Sequence, residues 1–389
     1  MNTYSHRFVI FIVLFICVFM VVNPQETVNA AADGIKLWAL IVLPALLPFF
    51  IVAELLVSLR FVNFLGILLE PLMRPIFRLP GCSSLVIVLG FTSGFPIGAV
   101  LTRRLYEKNM LNDNEAERLV SFTNNSSPLF IIGAIGIGMF SNATVGYILA
   151  ASHYLANLCV GLLWRWRSPQ IITPACTNTT LLHNAVASLS EEPPEGLGQL
   201  MGDAIKNSLN NVLAVGGFII LFSVLTKMFS ICGFMDILAV SLQKLFFCIP
   251  ISYPLAYGLS TGIFELTLGA KAIASTFCTD LDTQIIAVSA LLGWSGLSII
   301  AQVMSIVAGM PVRFSFYLTS RCIQLLLSCG FSFLFIKTLF AGSLPIFSDS
   351  LTMNKILYAV NAWEISFYCM IVGFACIAFL LFVSMLVKR

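Results

Sequence analysis

The chain has 389 residues, 59% apolar and 10% charged, with a formal net charge of +3 and a mean hydropathy of +0.96. A water-soluble domain is nearer half apolar and a quarter charged, so this chain holds more apolar surface than a water-facing exterior can hide; the implied solvent is lipid. Long unbroken apolar stretches, without ten-residue alternation, favour helices over a β-barrel, and a small, scattered positive charge gives no support to nucleic-acid binding.

The first apolar run, residues 8–22, follows His6 and Arg7 and leads into a polar stretch ending at Asn29. Val28-Asn29-Ala30 ahead of Ala31 could be read by a signal peptidase. The polar stretch is long for the end of a signal, so residues 1–34 are expected to form a retained helix and an outer loop. A spanning helix needs about 20 apolar residues, and further ones are expected at 35–59, 143–166, 205–229, 314–340 and 363–387. Residues 61–77, with Arg74 inside and Arg78 just after, read as an amphipathic helix along the membrane face. Four segments, 83–103, 115–140, 249–277 and 284–309, are interrupted by Gly, Pro and polar clusters. A polar linker, 168–204, contains Pro193-Pro194 and the acids Glu191, Glu192 and Glu195. Eleven cysteines form no Cys-x-x-Cys pair, and Cys17, Cys159, Cys322, Cys329, Cys369 and Cys376 lie in apolar helices. They read as small buried hydrophobes rather than metal ligands or disulfides.

Lys and Arg accumulate in cytoplasmic loops. One assignment places Arg60, Arg74, Arg78, Arg103, Arg104, Lys108, Arg165, Arg167 and Arg313 inside, and Glu26, Asp33, Asp280, Asp282 and Asp349 outside. Both termini are then cytoplasmic, and Lys244 and Lys355 are mild exceptions. Gly90-Phe91-Thr92-Ser93-Gly94 recurs as Gly258-Leu259-Ser260-Thr261-Gly262; Ile97-Gly98-Ala99 matches Leu268-Gly269-Ala270, Ile35-Lys36 matches Ile205-Lys206, and Leu79-Pro80 matches Ile249-Pro250. The offset stays between 168 and 171 residues. Loop charge has Ile35 entering from outside and Ile205 from inside, so the copies run antiparallel, the inverted-repeat plan of secondary transporters. The fold expected is an all-α polytopic membrane protein with two inverted repeats, 35–167 and 205–341. Each holds a re-entrant helical hairpin and an unwound transmembrane helix, with an added helix at each end of the chain (1–34 and 342–389).

In the first hairpin the turn falls at Thr92-Ser93-Gly94-Phe95-Pro96, with cytoplasmic charge on both sides of it; the alternative is one helix kinked at Pro96. In the first unwound helix Thr123-Asn124-Asn125-Ser126-Ser127-Pro128 puts polar groups at membrane depth, where they must face a cavity or hydrogen-bond between helices. Ser126 and Ser127 can cap the helix restarting at Pro128, whose free N–H groups and positive dipole end suit a carboxylate. In the second copy the hairpin tip is Ser260-Thr261-Gly262, followed by Glu265, either a cation or proton site or a carboxylate neutralised by Lys271. The second break, Trp294-Ser295-Gly296-Leu297-Ser298, is poorer in amides. The solute site is therefore assigned to Thr92, Ser93, Gly94, Asn124, Asn125, Ser126, Ser127, Ser260, Thr261, Gly262, Glu265, Ser295 and Ser298. Arg321, one turn before Gln324, is expected to snorkel to the cytoplasmic edge; Glu54 reads as structural. His6 and His183 sit in polar segments, and His153 stands alone on a helix.

Enzyme signals are weak. Gly258–Gly262 fits Gly-x-Ser-x-Gly, but an apolar hairpin offers neither the strand–turn–helix setting nor a histidine partner, and no metal, phosphate-loop or cofactor motif is found. Transport is then secondary or passive. GFTSGFPIG at residues 90–98, then Arg103-Arg104 and the Asn-Asn break in that order, resemble the sporulation integral membrane proteins of the nucleoside-recognition Gate family, which are similar to concentrative nucleoside transporters. The resemblance runs from about Asp33 to the C-terminus. It implies a transporter-like fold and a role in endospore formation, moving dipicolinic acid across the outer forespore membrane. The expected partners are a small anionic solute and the bilayer, and a homo-oligomer is compatible with the sequence. The alternatives are a nucleoside permease and a non-transporting membrane scaffold of spore assembly. The first hairpin tip lacks the acid that nucleoside transporters carry, which argues against a nucleoside and against sodium coupling.

Overall fold

A computed structural model describes residues 3–59, 61–167, 196–245, 251–276 and 279–338, and the regular structure among them is all helical. The chain is a polytopic membrane protein: among the described residues, four helical stretches (Ala143–Arg167, Gly198–Ile231, Leu281–Ile306, Phe314–Thr338) are long and apolar enough to cross a bilayer, and six if two bent pairs each count as one. The expected span at 363–387, most of the polar linker (168–195), and the Ile249-Pro250 match lie outside the described residues.

Helix α1 (Thr3–Val22) meets α2 (Pro24–Leu37) at 104°. Residues 24–34, expected as an outer loop, are helical instead. Pro24 sits in the first turn, where its missing N–H costs nothing, and Gly34 lets α2 pack against Ser223 on a later helix. A π-wound turn, Trp38–Val42, joins α2 to α3 (Leu43–Ser58). Helix α4 (Phe61–Phe77) lies at 80° to α3 and buries Val62, Leu65, Gly66, Leu69, Met73 and Phe77, the one-sided spacing expected for it.

Then follow α5 (Ser83–Ser93), α6 (Ile97–Glu107), α7 (Asp113–Thr123), the π-wound α8 (Leu129–Met139) and α9 (Ala143–Trp164). A reciprocal cap starts α7: Asn112 Oδ1 accepts from Glu115 N at 2.9 Å and Glu115 Oε2 from Asn112 N at 3.1 Å. The second half contains α10 (Leu197–Ile231), α11 (Phe234–Leu245), α12 (Tyr253–Phe264), α13 (Leu266–Ala274), α14 (Leu281–Trp294), α15 (Gly296–Ile306) and α16 (Phe314–Thr338). Several helix starts in the two halves are separated by similar intervals. Helix α9 begins at Ala143 and α16 at Phe314, 171 residues on; α5 begins at Ser83 and α12 at Tyr253, 170 on; α6 and α13 begin 169 apart. Helix α10 crosses the α2–α3 rod, accepting the Trp38 indole N–H on Val212 O at 3.0 Å.

The apolar core of the described residues lies in three bodies. One joins α3–α7 with Val160, Val212 and Val215; a second joins α8, α9, α12, α13 and α14 with Ile336; a third joins Ala99, Val120, Ile300, Val303, Val307 and Tyr317. Charge segregates to the two ends. At one, Arg74 pairs with Glu70 and Glu115, Arg104 with Glu54, and Arg313 with Glu117, while Arg118 donates to the carbonyls of Phe77 and Arg78. Glu54, which reads as structural from the sequence, is thus an ion-pair partner of Arg104. At the other end Lys227 meets Glu26 and Lys337 meets Asp282.

Candidate functional site: two helix breaks joined by a buried arginine

Helix α7 ends at Thr123. Thr123 O fits between Gly90 on α5 and Gly98 on α6, where a Cβ on either glycine would collide with it. The chain leaves the helix extended at Asn124. Asn124 then ties the break to α6: Oδ1 accepts from Ala99 N at 2.9 Å and Nδ2 donates to Val120 O at 2.9 Å. Asn125 Nδ2 donates to Phe122 O at 3.2 Å. Ser127 Oγ accepts from Phe130 N at 3.3 Å, the expected cap of the restarting helix. Ser126 uses its backbone: its N–H donates to His153 Nε2 at 3.3 Å and its carbonyl accepts from the Tyr154 hydroxyl at 2.8 Å.

The second break is tighter. Ser295 (φ 75) and Gly296 (φ 80) are both left-handed, ending α14 and starting α15 at once. Gly296 lies against the junction of α12 and α13, where its Cβ would fall 3.2 Å from Leu266 N. Helices α12 and α13 fold back on each other, Gly258 facing Ile273 and Gly262 facing Gly269. Glu265 occupies the tip between them and accepts from Leu268 N at 2.6 Å. Its carboxylate is an N-cap on α13, and Lys271, the neighbour suggested by sequence, is exposed on the outside of the hairpin.

The two breaks meet at Arg321 on α16. Its side chain is 0% exposed, so it does not snorkel to the edge: α7, the first break and Ser295 surround it. Nη1 donates to Asn124 O at 3.1 Å and to Ser295 Oγ at 3.4 Å, and Nη2 to Ser121 O at 2.5 Å. Nε has no hydrogen-bond partner. Among the described residues no carboxylate lies within ion-pairing distance of this guanidinium. Its charge is met by carbonyls and by the Tyr317 ring, 5.2 Å from ring centre to Cζ.

Of the residues assigned from the sequence, the structure brings Asn124 and Ser295 onto Arg321, while Asn125 and Ser126 follow in the same break and bond to Phe122, His153 and Tyr154. Other residues assigned from the sequence serve the elements that carry the breaks. The hydroxyls of Thr92, Ser260 and Thr261 donate back to the carbonyls of Val88, Ala256 and Tyr257 on their own helices. Gly94 (φ 94) abuts Ser127, and Gly262 provides clearance for the hairpin. Ser298 lies inside α15 and accepts from Gln302 Nε2 at 3.3 Å, while Ser93 Oγ is buried without a partner. Sequence reasoning missed the groups that complete the centre. His153 does not stand alone: it is fully buried, holds Ser126 N–H on Nε2, and faces Gln324 with Nδ1 at 3.4 Å. His153 and Gln324 are 171 residues apart, the same interval as the motif matches, and extending that interval to α9 and α16 would have found them. Unpartnered buried oxygens, namely Asn125 Oδ1, Ser126 Oγ, Asn157 Oδ1 and Gln324 Oε1, are carried by the same elements. A buried cation beside free hydrogen-bonding atoms can hold a small charged solute.

The model of the Gate family, described as nucleoside recognition, matches residues 39–151, a stretch that includes the first break. The chain is 41% identical to the sporulation integral membrane protein YlbJ of Bacillus subtilis (strain 168) over 338 residues, 85% of this chain and 82% of that one. It is also 29% identical over 180 residues to an uncharacterized protein of Alkalihalophilus pseudofirmus, of which that stretch covers 37%. No solved structure matches it. With that degree of identity over nearly the whole of both chains, this protein belongs to the family of YlbJ-type sporulation integral membrane proteins.

Proposed function

We propose that this protein is a secondary or passive transporter of a small anionic metabolite, with dipicolinate, a planar aromatic dicarboxylate, as the solute and the outer forespore membrane as its place of action. One observation carries the reading: Arg321 is wholly buried, has a free Nε, and reaches backbone at one broken helix and a hydroxyl at the other. A buried charge without a counter-ion costs several kcal/mol, and an anion bound between the breaks offsets that cost. Carboxylates match a guanidinium fork, and α8, which restarts after the same break, offers a second positive end.

The architecture that accompanies this reading is two inverted copies, with α5–α6 and α12–α13 as re-entrant hairpins and α7–α8 and α14–α15 as unwound spans. Its support is the recurring interval of 167–171 residues between the paired helix starts and the contact of His153 with Gln324, 171 residues apart. The arginine-rich end then faces the cytoplasm, as do both termini. A nucleoside permease is the second reading, favoured by the description of the matching family model. The test is uptake of labelled dipicolinate and of labelled nucleosides by vesicles bearing the purified protein, with R321Q and N124A alongside. Dipicolinate uptake lost in R321Q supports the anion reading, and nucleoside uptake alone supports the second. If neither solute moves, both fail and a membrane scaffold remains.

A further inference from the structure

Transport of a dianion leaves a charge to be accounted for. Arg321 supplies one positive charge, and among the described residues no second cation touches the breaks. Two carboxylates against one guanidinium leave a net negative charge in a buried site, again at a cost of several kcal/mol. At the first break, among the described residues, the neutral imidazole of His153 can gain a proton. Its Nε2 accepts the Ser126 N–H at 3.3 Å, so that nitrogen carries a lone pair and the ring is neutral in this arrangement, its proton on Nδ1. Nδ1 faces the Gln324 amide at 3.4 Å. Turning that amide so that Oε1 accepts from Nδ1–H also satisfies the Gln324 oxygen that otherwise has no partner.

The groups facing the imidazole are Arg321 and Gln324 from α16, and Tyr154 from its own helix, whose ring packs edge-on at 5.5 Å. The break contributes Ser126; none of these groups is an acid. We infer that His153 is a proton site coupled to the solute, each dianion being carried together with one proton on Nε2. The step balances: a proton from the aqueous phase, or from the solute's own carboxylic acid, bonds to the Nε2 lone pair. The Ser126 N–H···Nε2 hydrogen bond breaks, and nothing is oxidised or reduced. The released Ser126 N–H becomes a donor at the break where a carboxylate binds, so the proton and the solute favour each other's presence.

This inference rests on the anion-transport reading above, and the experiment separates the two. The chain has three histidines, so H6Q/H183Q leaves His153 as the one imidazole, which is labelled with 15N in the full-length protein. Adding dipicolinate is expected to move its signal from the neutral to the imidazolium position, with one proton taken up per solute bound in weak buffer. In vesicles, equilibrium accumulation of dipicolinate is expected to change about tenfold per unit of pH gradient, and H153Q, which keeps an acceptor for Ser126 N–H but cannot be protonated, is expected to lose that response. Dipicolinate that binds and crosses with the imidazole neutral throughout, or a gradient response kept in H153Q, overturns the proton site and leaves the transport reading standing. Dipicolinate that neither binds nor crosses overturns the transport reading itself.

Discussion

The α12–α13 hairpin offers a sharp test of how the second break is held. Where Gly269 meets Gly262, its two arms touch through backbone, not side chains. A Cβ added to Gly269 would land on Gly262 Cα, 2.5 Å from Gly262 N and 2.9 Å from Gly258 O. Ordinary heavy-atom contact is about 3.5–4.0 Å, and no flexible side chain is present to give way, so in G269A the arms must part by about 1 Å. Overpacking of this kind costs about 1–3 kcal/mol, against about 1 kcal/mol returned by alanine's better helix propensity. The net is a loss of up to about 2 kcal/mol, and Gly296 and Ser295, which lie against the tip, shift with it. The assay is thermal unfolding in detergent together with solute affinity, with G217A as control, since nothing lies within 4 Å of Gly217. That control is expected to hold or raise stability. A G269A protein that melts at or above the wild-type temperature and binds solute unchanged would refute the backbone-contact reasoning.

Three further outcomes are expected. R321K keeps the charge but not the fork that reaches Ser121, Asn124 and Ser295, and solute affinity should fall about 10- to 100-fold, or about 1.4–2.7 kcal/mol, by equilibrium binding; an unchanged Kd contradicts the site. Glu117, 5% exposed on its side chain, accepts from Arg313 N, Nε and Nη2 at 2.9, 2.8 and 2.6 Å, so E117Q should destabilise the arginine-rich end by about 1–2 kcal/mol in denaturation, the exposed half of the pair limiting the loss. Partial burial works against the Asp280 carboxylate, yet hydrogen bonds from Thr283 hold its pKa below the usual Asp value. The stability this adds to α14 is present above that usual value and is lost as pH falls through the depressed one; a melting-temperature scan should show an acid dependence that D280N removes.

The positions of the helix interruptions were legible in the sequence. Asn124-Asn125-Ser126-Ser127-Pro128 and Ser295-Gly296 are polar or flexible where lipid tolerates neither, so the chain had to open there whatever surrounded it. The amphipathic α4 and the ordered motif matches were legible for the same reason, since each is a local pattern imposed by solvent. Residues 24–34 were misread because polarity alone does not separate a loop from a helix that docks on α10.

The centre itself depended on tertiary packing. An arginine in an apolar helix can snorkel or turn inward, and the sequence carries no information on which; Arg321 turns inward because the carbonyls of Ser121 and Asn124, 200 and 197 residues away, and the hydroxyl of Ser295, 26 residues away, converge on it. His153 and Gln324 gain meaning only as a facing pair. By itself the sequence determined that this protein lives in lipid and where its helices break, because hydropathy and backbone polarity act over a few residues. Which charge stands between those breaks was decided by the fold alone, because a buried cation is held by partners drawn from segments the chain brings together last.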